Sequence, residues 1–90
     1  MRILYVGNDL DLLKFLHEHL EPKVVRCPPS STARSFIKEI NYDLILLDES
    51  ERELTEFIRS VRKETPVVYS STDFQSVVEA VNLKLIKTFT

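Results

Sequence analysis

The feature that most constrains this chain is an alternation of two kinds of apolar pattern along its whole length. Short apolar-rich runs, Ile3 to Val6, Val24 to Cys27, Leu44 to Leu47, Val67 to Tyr69 and Leu83 to Ile86, read as five buried strands. Between them the apolar residues recur at helical spacing: Leu13, Leu16 and Leu20, then Ala33, Phe36, Ile37 and Ile40, then Leu54, Phe57, Ile58 and Val61, then Phe74, Val77, Val78 and Val81. The last three sets follow the i, i+3, i+4, i+7 stripe of a helix with one buried face. Asp9, Ser31 and Asp73 stand where helix N-caps are expected. Pro22 and the pair Pro28 and Pro29 interrupt the chain around the second strand, and Pro66 follows the third helix. Strand and helix alternating in this way imply right-handed crossovers, a parallel sheet and helices on both of its faces.

Ninety residues make one domain with one core, spanning residues 1–90, with no linker, repeat or low-complexity tract to divide it. Twelve basic and 14 acidic side chains are scattered to a net charge of -2, so no basic face offers itself to phosphates and direct nucleic-acid binding is not expected. No signal peptide or membrane span is read from the sequence, and the expected compartment is the cytoplasm. A single cysteine, Cys27, forms no internal disulfide and reads as a core residue at a strand end.

In open parallel sheets functional groups collect beyond the carboxyl ends of the strands. Here those ends are Gly7, Asn8 and Asp9 after the first strand, Asp48, Glu49 and Ser50 after the third, Ser70, Ser71 and Thr72 after the fourth, and Lys87, Thr88 and Phe89 after the fifth. Four blocks carry a resemblance: residues 2–9, residues 42–48, residues 66–71 and residues 87–89 resemble, in order and spacing, the four blocks of a response-regulator receiver domain. The resemblance spans nearly the whole chain. It implies a flavodoxin-like, doubly wound, five-stranded parallel sheet in the order 2-1-3-4-5.

The resemblance also implies roles. Asp48 matches the aspartate that accepts a phosphoryl group from a partner histidine kinase, Lys87 the lysine of that site, and Ser71 its switch hydroxyl. Such a transfer needs a carboxylate nucleophile, a divalent cation and groups that hold the phosphoryl oxygens. Against this stand the ordinary readings of a loop aspartate, a turn hydroxyl and a surface lysine.

The departures fall on the metal side. Where the family has an acidic pair, this chain has Gly7 and Asn8. Asp9 follows, and reads equally well as the cap of the first helix. Asn8, Asp9 and Asp48 therefore form at most a weak magnesium site, and no other cofactor is expected. The loop after Asp48 lacks the usual Met-Pro and glycine, and its acids Glu49, Glu51 and Glu53 disfavour an incoming phosphodonor. Lys84 stands where the family often carries an aromatic switch residue. Finally, no fifth helix follows the fifth strand before Thr90. One sheet face is then expected to stand bare and to be covered by an output domain, with the chain as the N-terminal part of a longer regulator, or by a second copy.

Other groupings carry less. His17 and His19 sit two apart on a helix and face different ways, so they do not pair on a metal. Gly7 is the one glycine, so a glycine-rich phosphate loop is absent. Three functions remain in play: a non-enzymatic, receiver-like regulatory domain of the two-component type that acts through protein contacts on a transcriptional output, a working phosphoacceptor at Asp48, and a small flavodoxin-like ligand-binding domain.

Overall fold

In the first strand, β1 (Arg2–Val6), every residue from Ile3 to Val6 is buried, as a strand covered on both faces requires. The computed structural model describes residues 2–20, 24–26 and 30–89. Three further strands, β2 (Val24–Arg26), β3 (Leu44–Leu47) and β4 (Val67–Tyr69), join β1 in one parallel sheet of order β2-β1-β3-β4. The helices are α1 (Leu10–His19), α2 (Ala33–Glu39), α3 (Leu54–Val61) and α4 (Phe74–Phe89), with single 3-10 turns at Ser30–Thr32 and Glu49–Glu51. None of the helices among the described residues is long and apolar enough to cross a membrane.

Strand alternation divides the core into two layers. Ile3, Tyr5, Leu44, Leu46 and Val68 point to one face, where Leu12 and Leu16 of α1 and Val77, Val78 and Val81 of α4 cover them. Leu4, Val6, Ile45 and Leu47 point to the other, under Ala33 and Ile37 of α2 and Leu54 and Ile58 of α3. The apolar stripes read from the sequence supply most of both cover layers, with two exceptions: α1 buries Leu12 rather than Leu13, which is only partly buried, and Val61 at the end of the third stripe is exposed. The Arg62 side chain ties the second layer together, donating from Nε to the Ile37 carbonyl at 3.1 Å and from Nη2 to the Lys38 carbonyl at 2.9 Å. It satisfies carbonyls at the end of α2 that have no partner within the helix.

Three expectations are corrected. Leu83 to Ile86 is not a fifth strand, because α4 runs unbroken from Phe74 to Phe89. No glycine or proline interrupts that stretch, and Leu and Lys are strong helix formers. The stripe through Val78 and Val81 also continues in sequence to Leu85, so the short run Leu83 to Ile86 was a helix segment read at the period of a strand. The sheet has four strands among the described residues, in the order expected for those four.

The bare sheet face is corrected with it. The final helix lies on the same face as α1, where Phe74 meets Phe15 with ring centroids 5.7 Å apart. Ser31 is not an N-cap either: it lies within the 3-10 turn, and α2 starts after Thr32 without a side-chain cap. Cys27, Pro22, Pro28 and Pro29 lie outside the described residues.

Candidate functional site

The strand register decides which residues meet at the carboxyl edge of the sheet. Val6 pairs with Leu47 and Leu47 with Tyr69, so the next residues along, Gly7, Asp48 and Ser70, stand side by side on three neighbouring strands. Backbone bonds carry the pairing one step beyond the strands, from Asp48 N–H to the Val6 carbonyl at 2.9 Å and from Ser70 N–H to the Leu47 carbonyl at 2.8 Å. Asp48 is the centre of this row.

The Asp48 carboxylate accepts three hydrogen bonds from described residues, all from neutral donors. Ser70 Oγ donates to Oδ1 at 2.6 Å, the Tyr5 hydroxyl donates to the same oxygen at 2.8 Å, and the Asn8 backbone N–H donates to Oδ2 at 3.2 Å. Hydroxyl donors to a carboxylate at such distances are charge-assisted and among the stronger hydrogen bonds in proteins. The Tyr5 hydroxyl also accepts from the Asp9 backbone N–H at 3.1 Å, so one phenol joins the Asp48 carboxylate to the start of α1. Burial pushes the Tyr5 phenol well above its ordinary value, opposed by the Asp9 N–H and reinforced by the bond to Asp48. The phenol is therefore a permanent proton donor at neutral pH.

Gly7 makes this geometry possible. A Cβ built at position 7 would overlap both the Asp48 carboxyl group and the Tyr5 hydroxyl. The requirement concerns space rather than backbone conformation. Any side chain at position 7, an acid included, would have to displace the carboxylate from Tyr5. The lack of a side chain at 7 and the bond between Tyr5 and Asp48 are thus one structural feature.

The residues singled out from the sequence divide accordingly. Asp48 is central. Asn8 contributes its backbone N–H. Asp9 is the N-cap of α1, its Oδ1 accepting from Leu12 N–H at 3.1 Å. Ser71 does not bond Asp48; its hydroxyl donates to the Asp73 carbonyl at 3.3 Å. Lys87 sits on α4, not at the end of a strand, and its side chain lies outside the described region. Asp73 caps α4, accepting from Ser76 N–H at 3.3 Å and from Ser76 Oγ at 2.7 Å, and this hydroxyl bond above all lowers its carboxyl below the usual range.

Two residues of the cluster were not singled out beforehand. Tyr5 reads as a core strand residue, and it is one, at 1% exposed. The signal was a phenol in an otherwise aliphatic strand, whose polar tip must find a partner when buried. Ser70 was passed over for its neighbour. Pairing Leu47 with Tyr69 would have selected it, since residue 48 then faces residue 70.

Beside Asp48 an open cleft of about 320 Å³ is lined by Asp9, Asp48, Glu49, Ser50, Ser70, Ser71 and Thr72. Its walls are acids and hydroxyls. Magnesium asks for near-octahedral oxygen ligation, usually with one or two free carboxylates. Asp9 is committed to the helix cap and Asp48 to Tyr5, Ser70 and Asn8, and no cluster of three or more metal-ligating side chains occurs among the described residues. A magnesium ion in this cleft would have to compete with those bonds for the two carboxylates. His17 and His19 are exposed, and His19 instead stacks on Phe15 with ring centroids 3.9 Å apart.

No protein-family model matches the chain, and no curated protein sequence matches it.

Proposed function

We propose that this chain is a receiver-like regulatory domain, of flavodoxin-like topology, in which the aspartate of the phosphorylation site has become a structural acceptor. It acts through protein contacts rather than by taking up a phosphoryl group. One observation supports this above all: both oxygens of Asp48 are engaged by neutral donors, from Tyr5, Ser70 and Asn8, where the reaction would need a cation and a free nucleophilic oxygen. The phenol does the cation's structural task, offsetting carboxylate charge, without its chemical one, since a neutral donor does not draw in a phosphodonor. Glu49, which lines the cleft and is paired with Arg52 at 3.3 Å, adds a further acid beside Asp48.

The same arrangement suits a protein that holds one shape. Asp48 links the start of α1, through Tyr5 and Asn8, to the segment leading into α4, through Ser70. Those two helices share a sheet face, so the carboxylate fixes the frame on which an interaction surface can be presented.

Backbone amide spectra recorded during a magnesium titration test the reading. The expected result is no shift at Gly7, Asn8, Asp48 or Glu49 up to millimolar magnesium. Saturable shifts at these four amides, lost in Asp48→Asn, would favour a working phosphoacceptor.

A further inference from the structure

The outer edge of β4 presents backbone groups that the sheet leaves unpaired. On its inner side β4 pairs with β3: Ile45 N–H donates to the Pro66 carbonyl at 3.0 Å and Ser70 N–H to the Leu47 carbonyl at 2.8 Å. Alternation along a strand then turns the N–H and C=O groups of Val67 and Tyr69 away from β3. Among the described residues nothing pairs with that side, because β4 ends the sheet order. Protected edges are very short or carry inward charges, bulges or prolines within the strand; β4 is short, at three residues, and has none of the others. Here Val67, Val68 and Tyr69 are uncharged, and Pro66 stands only at the entrance.

At the Tyr69 end of β4, between it and α3, lies an open groove of about 600 Å³ lined by Arg52, Glu53, Thr55, Glu56, Arg59 and Tyr69. Its floor is ordered. The Tyr69 and Thr55 hydroxyls are 2.6 Å apart, and the Arg52 guanidinium lies 4.8 Å from the centre of the Tyr69 ring. Its lining carries two arginines and two glutamates, and Arg52 is also paired with Glu49, which is outside the lining, at 3.3 Å. A groove built for an acidic or a basic peptide would carry an excess of one sign. A balanced one fits a copy of itself, since a two-fold contact sets each patch against its own image.

We propose that two copies of the chain pair through β4, antiparallel, to form one continuous eight-stranded sheet. The two-fold axis passes between the Val68 residues, normal to the sheet. Val67 of each copy then exchanges both backbone hydrogen bonds with Tyr69 of the other, which satisfies all four outward groups on each strand. The same axis lays the two α3 helices antiparallel on one face. The acidic start of each, with Glu53 at its N-cap and Glu56 in its first turn, is brought toward Arg59 of the other. This inference stands on the edge and the groove, independently of the role assigned to Asp48.

Sedimentation equilibrium of the full chain from micromolar to millimolar concentration tests it, together with amide hydrogen exchange over the same range. The expected mass rises to twice the 10.5 kDa of the chain, with the Val67 and Tyr69 amides becoming protected as it does. A monomer throughout, or a dimer in which those two amides exchange freely, overturns the proposal. Val67→Pro removes an outward N–H without touching a bond to β3, and a folded Val67→Pro variant is expected to be monomeric; one that still dimerises with wild-type affinity overturns it. Should that variant not fold, the charges decide. Arg59→Glu is expected to weaken association about tenfold, and Glu56→Arg combined with Arg59→Glu to restore it. An unchanged association constant in Arg59→Glu, or no recovery in the double variant, overturns the pairing.

Discussion

Replacing Tyr5 by phenylalanine removes one oxygen and leaves the buried ring in place, so it isolates the hydroxyl from the packing. The ring stays covered by the layer of α1 and α4, and no cavity larger than the oxygen opens. Two interactions go: the bond donated to Asp48 Oδ1 at 2.8 Å and the one accepted from Asp9 N–H at 3.1 Å. A hydrogen bond to a charged group contributes about 1.5–3 kcal/mol and a neutral one about 0.5–1.5 kcal/mol. The cleft beside Asp48 is open, so water can take over part of both, and a net loss of about 2 kcal/mol is expected. For a domain of this size that lowers Tm by roughly 10 °C. Urea unfolding followed by far-ultraviolet circular dichroism measures it, with Asp48→Asn and the double variant completing a mutant cycle. A loss below about 0.5 kcal/mol, or strict additivity of the two single changes, would refute the claim that the phenol and the carboxylate hold each other.

Other outcomes follow from the same cluster. Gly7→Asp, which puts an acid where the receiver-like pattern would have one, is expected to cost about 2 kcal/mol or more, because its Cβ overlaps Asp48 and Tyr5; an unfolding midpoint equal to wild type would contradict the geometry. Ser70→Ala is expected to destabilise by about 1–2 kcal/mol and Ser71→Ala by less than about 0.5 kcal/mol, since only the first donates to Asp48; equilibrium unfolding of both checks the order. The phenol titrates above its unfolded value of 10.0. The stabilisation from keeping it protonated is therefore full below about pH 10 and is lost as the pH climbs further, by at most about 1.4 kcal/mol per pH unit. The stability gap between wild type and Tyr5→Phe should shrink above pH 10, and a gap constant to pH 11 would count against a buried neutral phenol.

Much of the frame was legible because the residues that build it carry a period. Leu44 to Leu47 and Val67 to Tyr69 are runs too short for helices, and the stripes through Ile37, Ile58 and Val78 leave one reading each. Asp9 and Asp73 announced the helix starts by their short acceptor side chains, and both cap as expected. Leu83 to Ile86 is of the same length as Leu44 to Leu47 but is interrupted by Lys84 and is joined to the stripe before it with no glycine or proline between, so nothing ended α4 there. The site was legible at Asp48, placed at a strand end, and not at its partners. Tyr5 looked like core because most of its atoms are core, and Ser70 lost to Ser71 because a one-residue choice depends on register, which pairs residues far apart in sequence. The role of Gly7 depends on where Asp48 leans, which only the packed structure contains.

That Asp48 is held as a structural acceptor can be tested most directly on the intact protein. The chain is incubated with magnesium and a small-molecule phosphodonor, and its mass is measured beside an Asp48→Asn control. The account predicts no phosphoryl adduct on wild type, with Tyr5, Ser70 and Asn8 holding the carboxylate. A stable adduct on wild type that is missing from Asp48→Asn would contradict it.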